Sequence, residues 1–170
     1  NNSLTSRNAE NLFWVGRLCE RTIALRSFLK IILNRLNENV TTKENKQPEF
    51  LIVLLKSLTH LTQTYPGFVG EESKDGQLIN NDAIFENPIS ELLLLINDSR
   101  KTGTVTYNVQ ALLNTINQVS EKWNHDTRRI INLVEDSLFS LKNTNTNNIN
   151  QVNHALDKLH IRLFSFYGNI

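Results

Sequence analysis

The chain has no methionine, one cysteine and three prolines in 170 residues. A single thiol, Cys19, forms neither an intrachain disulfide nor a cysteine-based metal cluster. A chain of this length buries a core without such staples. Cys19 therefore reads as a buried structural thiol, and the expected compartment is reducing, the cytoplasm. The missing methionine is read as the mark of a segment taken from a longer multidomain protein. An excess of charge of either sign is also missing: 18 Lys and Arg stand against 17 Asp and Glu, a net charge of +1. A broad nucleic-acid surface needs clustered Lys and Arg, and the basic runs here are the pairs Arg100-Lys101 and Arg128-Arg129. Nucleic acid is not an expected partner. Long apolar runs are absent as well. The longest, Phe50 to Leu55 and Leu92 to Ile96, fall far short of the ~20 residues of a membrane span.

What is present is helical periodicity. Hydrophobic residues make up 39% and charged residues 21%, a balance that suits a folded domain rather than a disordered tail. The spacing predicts a first helix starting after Thr5 or Ser6 and running to about Asn37, then a polar loop over Asn39 to Lys46. A second helix is expected from Pro48 to about Thr64, stopped by Tyr65-Pro66-Gly67. Pro66 to Asn87 reads as a long irregular stretch. Further helices are predicted from Pro88 to Asp98, Val105 to Val119 and Glu121 to Lys142, the last with a break near Asn124. After an Asn/Thr linker, Val152, Leu156, Leu159, Leu163 and Phe166 mark a sixth. The expected fold is all-α: one domain over residues 1–170, a bundle of five to six mostly antiparallel helices.

The histidines supply no metal site. His60, His125, His154 and His160 match neither a paired Glu-x-x-His bundle nor a His-Glu-x-x-His helix. Gly67-Phe68-Val69-Gly70 lacks the Lys-Ser/Thr ending of a phosphate loop and reads as a turn after a helix. No metal and no cofactor is expected, and no catalytic residue can be assigned.

The first helix carries the functional signal. Taking each residue as about 100° of rotation from Glu10, the residues Leu18, Leu25, Phe28, Leu29, Ile32 and Leu36 define an apolar stripe between roughly 0° and 100°. Glu10, Asn11, Trp14, Arg17 and Arg21 fall on or beside it. Charged residues in such a place need partners. Either Arg17 and Arg21 join an interhelical ion-pair network with carboxylates such as Asp98, Glu121, Glu135 or Asp136, or their forks hold a carboxylate or phosphate ligand oriented by Glu10. Trp14 reads as core, and Gly16 as a point of close helix approach.

The stretch Ser6-Arg7-Asn8-Ala9-Glu10-Asn11-Leu12-Phe13-Trp14-Val15-Gly16-Arg17-Leu18-Cys19-Glu20-Arg21 resembles the opening motif of the bacterial alpha-E domain family. Gly103-Thr104-Val105-Thr106-Tyr107 and Leu112 more weakly resemble a later segment that opens another helix. The resemblance implies an all-helical module beside, or fused to, an ATP-grasp-like domain in the same chain or operon. It implies a role in peptide formation or modification, with a peptide or anionic small molecule as substrate. Family domains are longer and carry a second Gly-Arg…Glu-Arg helix, which these residues lack, so the chain is expected to be the N-terminal part of such a domain. The candidate binding residues are Glu10, Asn11, Trp14, Arg17, Glu20 and Arg21. Three functions remain open: a non-catalytic substrate-positioning module, an enzyme using Glu10 or Glu20 as acid/base, and a purely structural interaction bundle.

Overall fold

A computed structural model describes residues 6–40, 48–71, 73–76, 83–119, 123–144 and 148–170, with the side chains of residues 39 and 40 excepted. Thr5, Glu72, Glu121 and most of the Asn39 to Lys46 loop lie outside the described residues. The described residues form seven helices: α1 (Ser6–Val40), α2 (Glu49–Thr62), α3 (Ala83–Glu86), α4 (Ile89–Asn97), α5 (Val105–Asn117), α6 (His125–Asn143) and α7 (Ile149–Asn169). The class is all-α, as expected. The count exceeds five to six because α3 is a four-residue helix inside the stretch read as irregular. One turn is too short to show a 3.6-residue period.

The chain divides into two compact units, one of residues 1–26 and 105–170, the other of residues 27–104. In the first unit α5, α6 and α7 run antiparallel. Lys142 Nζ reaches Gln110 Oε1 at 3.4 Å, and Arg162 Nη1 donates to Leu133 O and Ser137 Oγ at 2.9 and 2.7 Å. Asn124 caps α6 by accepting from the Thr127 amide at 2.8 Å, and Asn148 caps α7 through the Asn150 and Gln151 amides. The fifth predicted helix thus starts at the Asn124 break. Apolar residues spaced three and four apart, Val152, Leu156, Leu159, Leu163 and Phe166, form the buried face of α7. Trp123 closes the core, its ring 5.7 Å from that of Phe166 and its indole N–H donating to Ile116 O.

The first part of α1 lies antiparallel to α7. Cys19 Sγ–H donates to Leu163 O at 3.6 Å, Glu20 meets Tyr167, and Arg26 pairs with Asp157.

In the second unit the remainder of α1 buries Leu29, Ile32, Leu33 and Leu36; α2 buries Leu51, Leu55 and Leu58; α4 buries Leu92, Leu95 and Ile96. Gln63 ends α2 in the left-handed conformation, with its N–H on Thr59 O. The following turn folds back: Phe68 is buried and its amide donates to Thr59 Oγ1 at 2.9 Å. Gly67-Phe68-Val69-Gly70 is thus a turn after a helix, as its sequence indicated. Gly103 ends the segment after α4 where backbone approaches backbone. A Cβ there would stand 1.9 Å from Thr62 O, so no other residue fits without a shift. No described helix is long and apolar enough to cross a membrane.

Candidate functional site

The candidate residues share the first four turns of α1. The side buried there consists of Val15, Cys19 and Thr22, at about 140°, 180° and 120° on the wheel defined from Glu10. Thr22 tolerates full burial because its hydroxyl donates to Leu18 O at 2.8 Å. Cys19 tolerates it because its thiol stays neutral. Burial, with the neighbouring Glu20 carboxylate, pushes its pKa up to about 12.

This placement overturns the stripe read from sequence. Glu10, Arg17 and Arg21 do not face a core. All three are exposed, and so is Trp14, at 46%. Asn11 is half-buried. The physical reason lies in the chemistry of the true buried face. Cys19 and Thr22 are weakly apolar, whereas Phe13 and Trp14 are strongly apolar and point to solvent. Leu25, Leu29, Ile32 and Leu36, between about 40° and 100°, are buried as expected. The buried face therefore rotates along α1, and a single stripe extrapolated from its second half misplaces the first. Gly16 is corrected too. A Cβ built there meets nothing within 4 Å among the described residues, so close helix approach does not explain it.

On the exposed side, Glu10, Phe13, Trp14, Arg17, Glu20, Arg21 and Ala24 each have another member of the set three or four positions away, so they share one face. The Phe13 and Trp14 rings meet edge to face, 5.7 Å between centroids. Arg17 Nη1 lies 3.6 Å from Glu20 Oε2. The other oxygen of Glu20 accepts from the Tyr167 hydroxyl at 2.6 Å, which ties the end of α7 to this face. That hydrogen bond, reinforced by the carboxylate charge, raises the Tyr167 pKa above its usual value. Arg21 and Glu10 have no ion-pair partner among the described residues. Tyr167 is the member that sequence reading missed. Only an antiparallel packing of α1 on α7 brings positions 20 and 167 together.

Glu121, one of the carboxylates considered as partners, lies outside the described residues. Asp98 is held by Arg100, whose Nε donates at 2.9 Å and keeps the Asp98 carboxyl below its ordinary range. Glu135 and Asp136 are exposed on α6. Among the described residues no cluster of His, Cys, Asp or Glu could hold a metal. His160 of α7 has a lowered pKa. Burial lowers it, helped by Arg26 and opposed by Asp157. Among the described residues of the same unit, an open cleft of about 440 Å³ lies between α6 and α7 beside His154 and Lys158, and another of about 290 Å³ lies beside Phe139 and Lys142. Neither includes a candidate residue.

The face on α1 is thus an open strip of two guanidiniums one turn apart, two aromatic rings and a carboxylate fixed by a phenol. Such a strip can take a carboxylate or phosphate in the guanidinium forks while an apolar group rests on the rings. A family model described as Alpha-E, a predicted alpha-helical domain with a conserved ER motif, matches residues 4–170. The chain belongs to that family. The one Glu-Arg pair in the sequence is Glu20-Arg21, which sets the motif on this exposed face. No curated protein and no solved structure matches the chain.

Proposed function

We propose that this Alpha-E domain is a non-catalytic positioning module of an ATP-grasp-type peptide ligation or modification system, and that the exposed face of α1 holds the anionic end of the substrate. The carrying observation is the state of the two arginines. Both guanidiniums are open to solvent, and Arg21 has no carboxylate partner among the described residues. A structural ion pair buries and pairs its charges. A binding site leaves donors available. Trp14 and Phe13 beside them supply the apolar contact that a peptide side chain would use. Glu20 orients the strip: it accepts from Tyr167 and lies beside Arg17, so its oxygens are engaged as acceptors rather than poised against a reacting proton. The ATP-grasp context, with a bacterial and cytoplasmic setting, rests on the resemblance of residues 6–21 to the family motif.

Phe13, 61% exposed, favours a second reading in which the same face docks a protein rather than a small substrate. Titration in a Trp123→Phe background separates the two, because Trp14 is then the sole indole. Inorganic phosphate and a short peptide with a free carboxylate are added in turn, and Trp14 fluorescence is followed. A saturable change is expected. It should weaken about tenfold in Arg21→Ala, as for loss of a hydrogen bond to a charged group. No saturable change with either probe, or an unaltered affinity in Arg17→Ala/Arg21→Ala, overturns anion binding and leaves the protein-docking reading.

A further inference from the structure

Helix α2 is apolar on two opposite sides, and its own unit uses one of them. Leu51, Leu55 and Leu58 are buried. On the other side Phe50, Val53 and Leu61 are 50%, 57% and 72% exposed. With Ser57 between them they follow positions i, i+3, i+7 and i+11, a single stripe along the helix. A helix that forms one wall of a core normally turns charge to solvent, and a contiguous apolar patch there marks an interaction surface. The Arg35 guanidinium stands 5.8 Å from the centre of the Phe50 ring, and exposed Ile31 lies one turn before Arg35 on α1, so the patch widens at that end.

The charges beside the stripe identify its occupant. Read as heptads, α2 places Phe50 and Ser57 at a, Val53 and His60 at d, and Glu49 and Lys56 at successive g positions. Glu49 and Lys56 are both exposed, have opposite sign, and have no ion-pair partner among the described residues. In an antiparallel helix pair the g positions of the two copies face each other, so each Glu49 meets a Lys56. In a parallel pair g faces e, and the e positions are Leu54 and Leu61, which carry no charge. The pattern complements itself in one orientation and not in the other. Lys56 rests 5.8 Å from the centre of the Phe85 ring, which holds the ammonium beside α2 without neutralising it.

We propose that α2 is a homotypic docking surface: two copies of this chain pair through the first two turns of antiparallel α2 helices about a two-fold axis, burying Phe50 and Val53, with Glu49 of each copy against Lys56 of the other. The surface is distinct from the arginine strip on α1.

Sedimentation equilibrium on the whole chain tests the pairing, with circular dichroism confirming that each variant is folded. The wild type is expected to dimerise reversibly, and Val53→Lys to be monomeric. Glu49→Lys and Lys56→Glu alone should each loosen the dimer about tenfold, since both symmetry-related pairs become repulsive. The combined Glu49→Lys/Lys56→Glu variant should recover the wild-type association. A wild type that stays monomeric overturns the proposal, and the stripe then serves a different protein. A double exchange that associates no better than the single ones overturns the antiparallel register.

Discussion

Arg17 and Arg26 show how the same side chain takes two roles in one helix. Arg26 is 12% exposed and pairs with Asp157 of α7. Arg17 is 60% exposed and has only a loose contact with Glu20, one turn away. Exposed pairs contribute little, since solvent screens them and ordering two long side chains costs entropy. Arg17→Ala is therefore expected to change unfolding free energy by less than about 0.5 kcal/mol in urea denaturation. A loss of several kcal/mol would restore the structural ion-pair reading of the motif. Tyr167 supplies a pH signature of the same face. Its pKa is raised in the folded state by Glu20, so the folded chain keeps a proton that the unfolded chain releases. The stabilising contribution is fully present below the unfolded tyrosine pKa of about 10 and is lost as pH rises through the higher folded value. Glu20→Gln removes the charge, and ultraviolet titration should then show Tyr167 ionising at lower pH. An unchanged titration would mean that the hydrogen bond does not persist in solution.

At the scale of the element, α1 is the instructive case. Its extent was legible, because 35 residues from Ser6 to Val40 contain no proline and keep a helical period. Its buried side was legible only from Leu25 onward, where the apolar residues are large and regularly spaced. Toward the start, burial falls on Val15, Cys19 and Thr22, and hydropathy ranks two of these below the exposed Trp14 and Phe13. Hydrophobic pattern measures transfer preference and cannot register that the Thr22 hydroxyl is satisfied by its own helix. Gly16 follows from the same correction. With open space around its missing Cβ, it adds backbone entropy cost and no described packing. Gly16→Ala should therefore stabilise the chain by up to about 1 kcal/mol, read as a raised thermal midpoint. A decrease would show that something packs closely against this position after all. The start of α6 falls at the break read near Asn124, where the side chain accepts from an otherwise unpaired amide, and Asn148, read only as the end of a linker, caps α7 in the same way.

For the whole molecule, balance of charge is the governing property. A net charge of +1 leaves no extended field for a polyanion, while locally Arg17 and Arg21 present two positive groups. Duplex DNA should consequently show no salt-dependent complex at protein concentrations up to about 100 μM and physiological ionic strength, measured by fluorescence anisotropy. Binding with a steep salt slope would mean that basic groups converge on a surface that composition conceals. The proposed recognition of a discrete anion at α1 does not require polyanion binding, because the first needs two aligned forks and the second many distributed charges.

Class, most helix positions and the family resemblance of this protein reside in local information: a 3.6-residue period, breaks at Tyr65-Pro66-Gly67, at Gly103 and near Asn124, and the run from Ser6 to Arg21. Each of these is written within a few turns of chain, where propensity and spacing act. Tertiary packing alone decided which way α1 faces. It turned Arg17, Arg21 and Trp14 to solvent, set Glu20 against Tyr167 across 147 positions, and left Phe50, Val53 and Leu61 uncovered on α2. Burial is a property of what arrives from elsewhere in the chain. A helix with apolar residues on more than one side offers several faces to a core, and only its partners select among them.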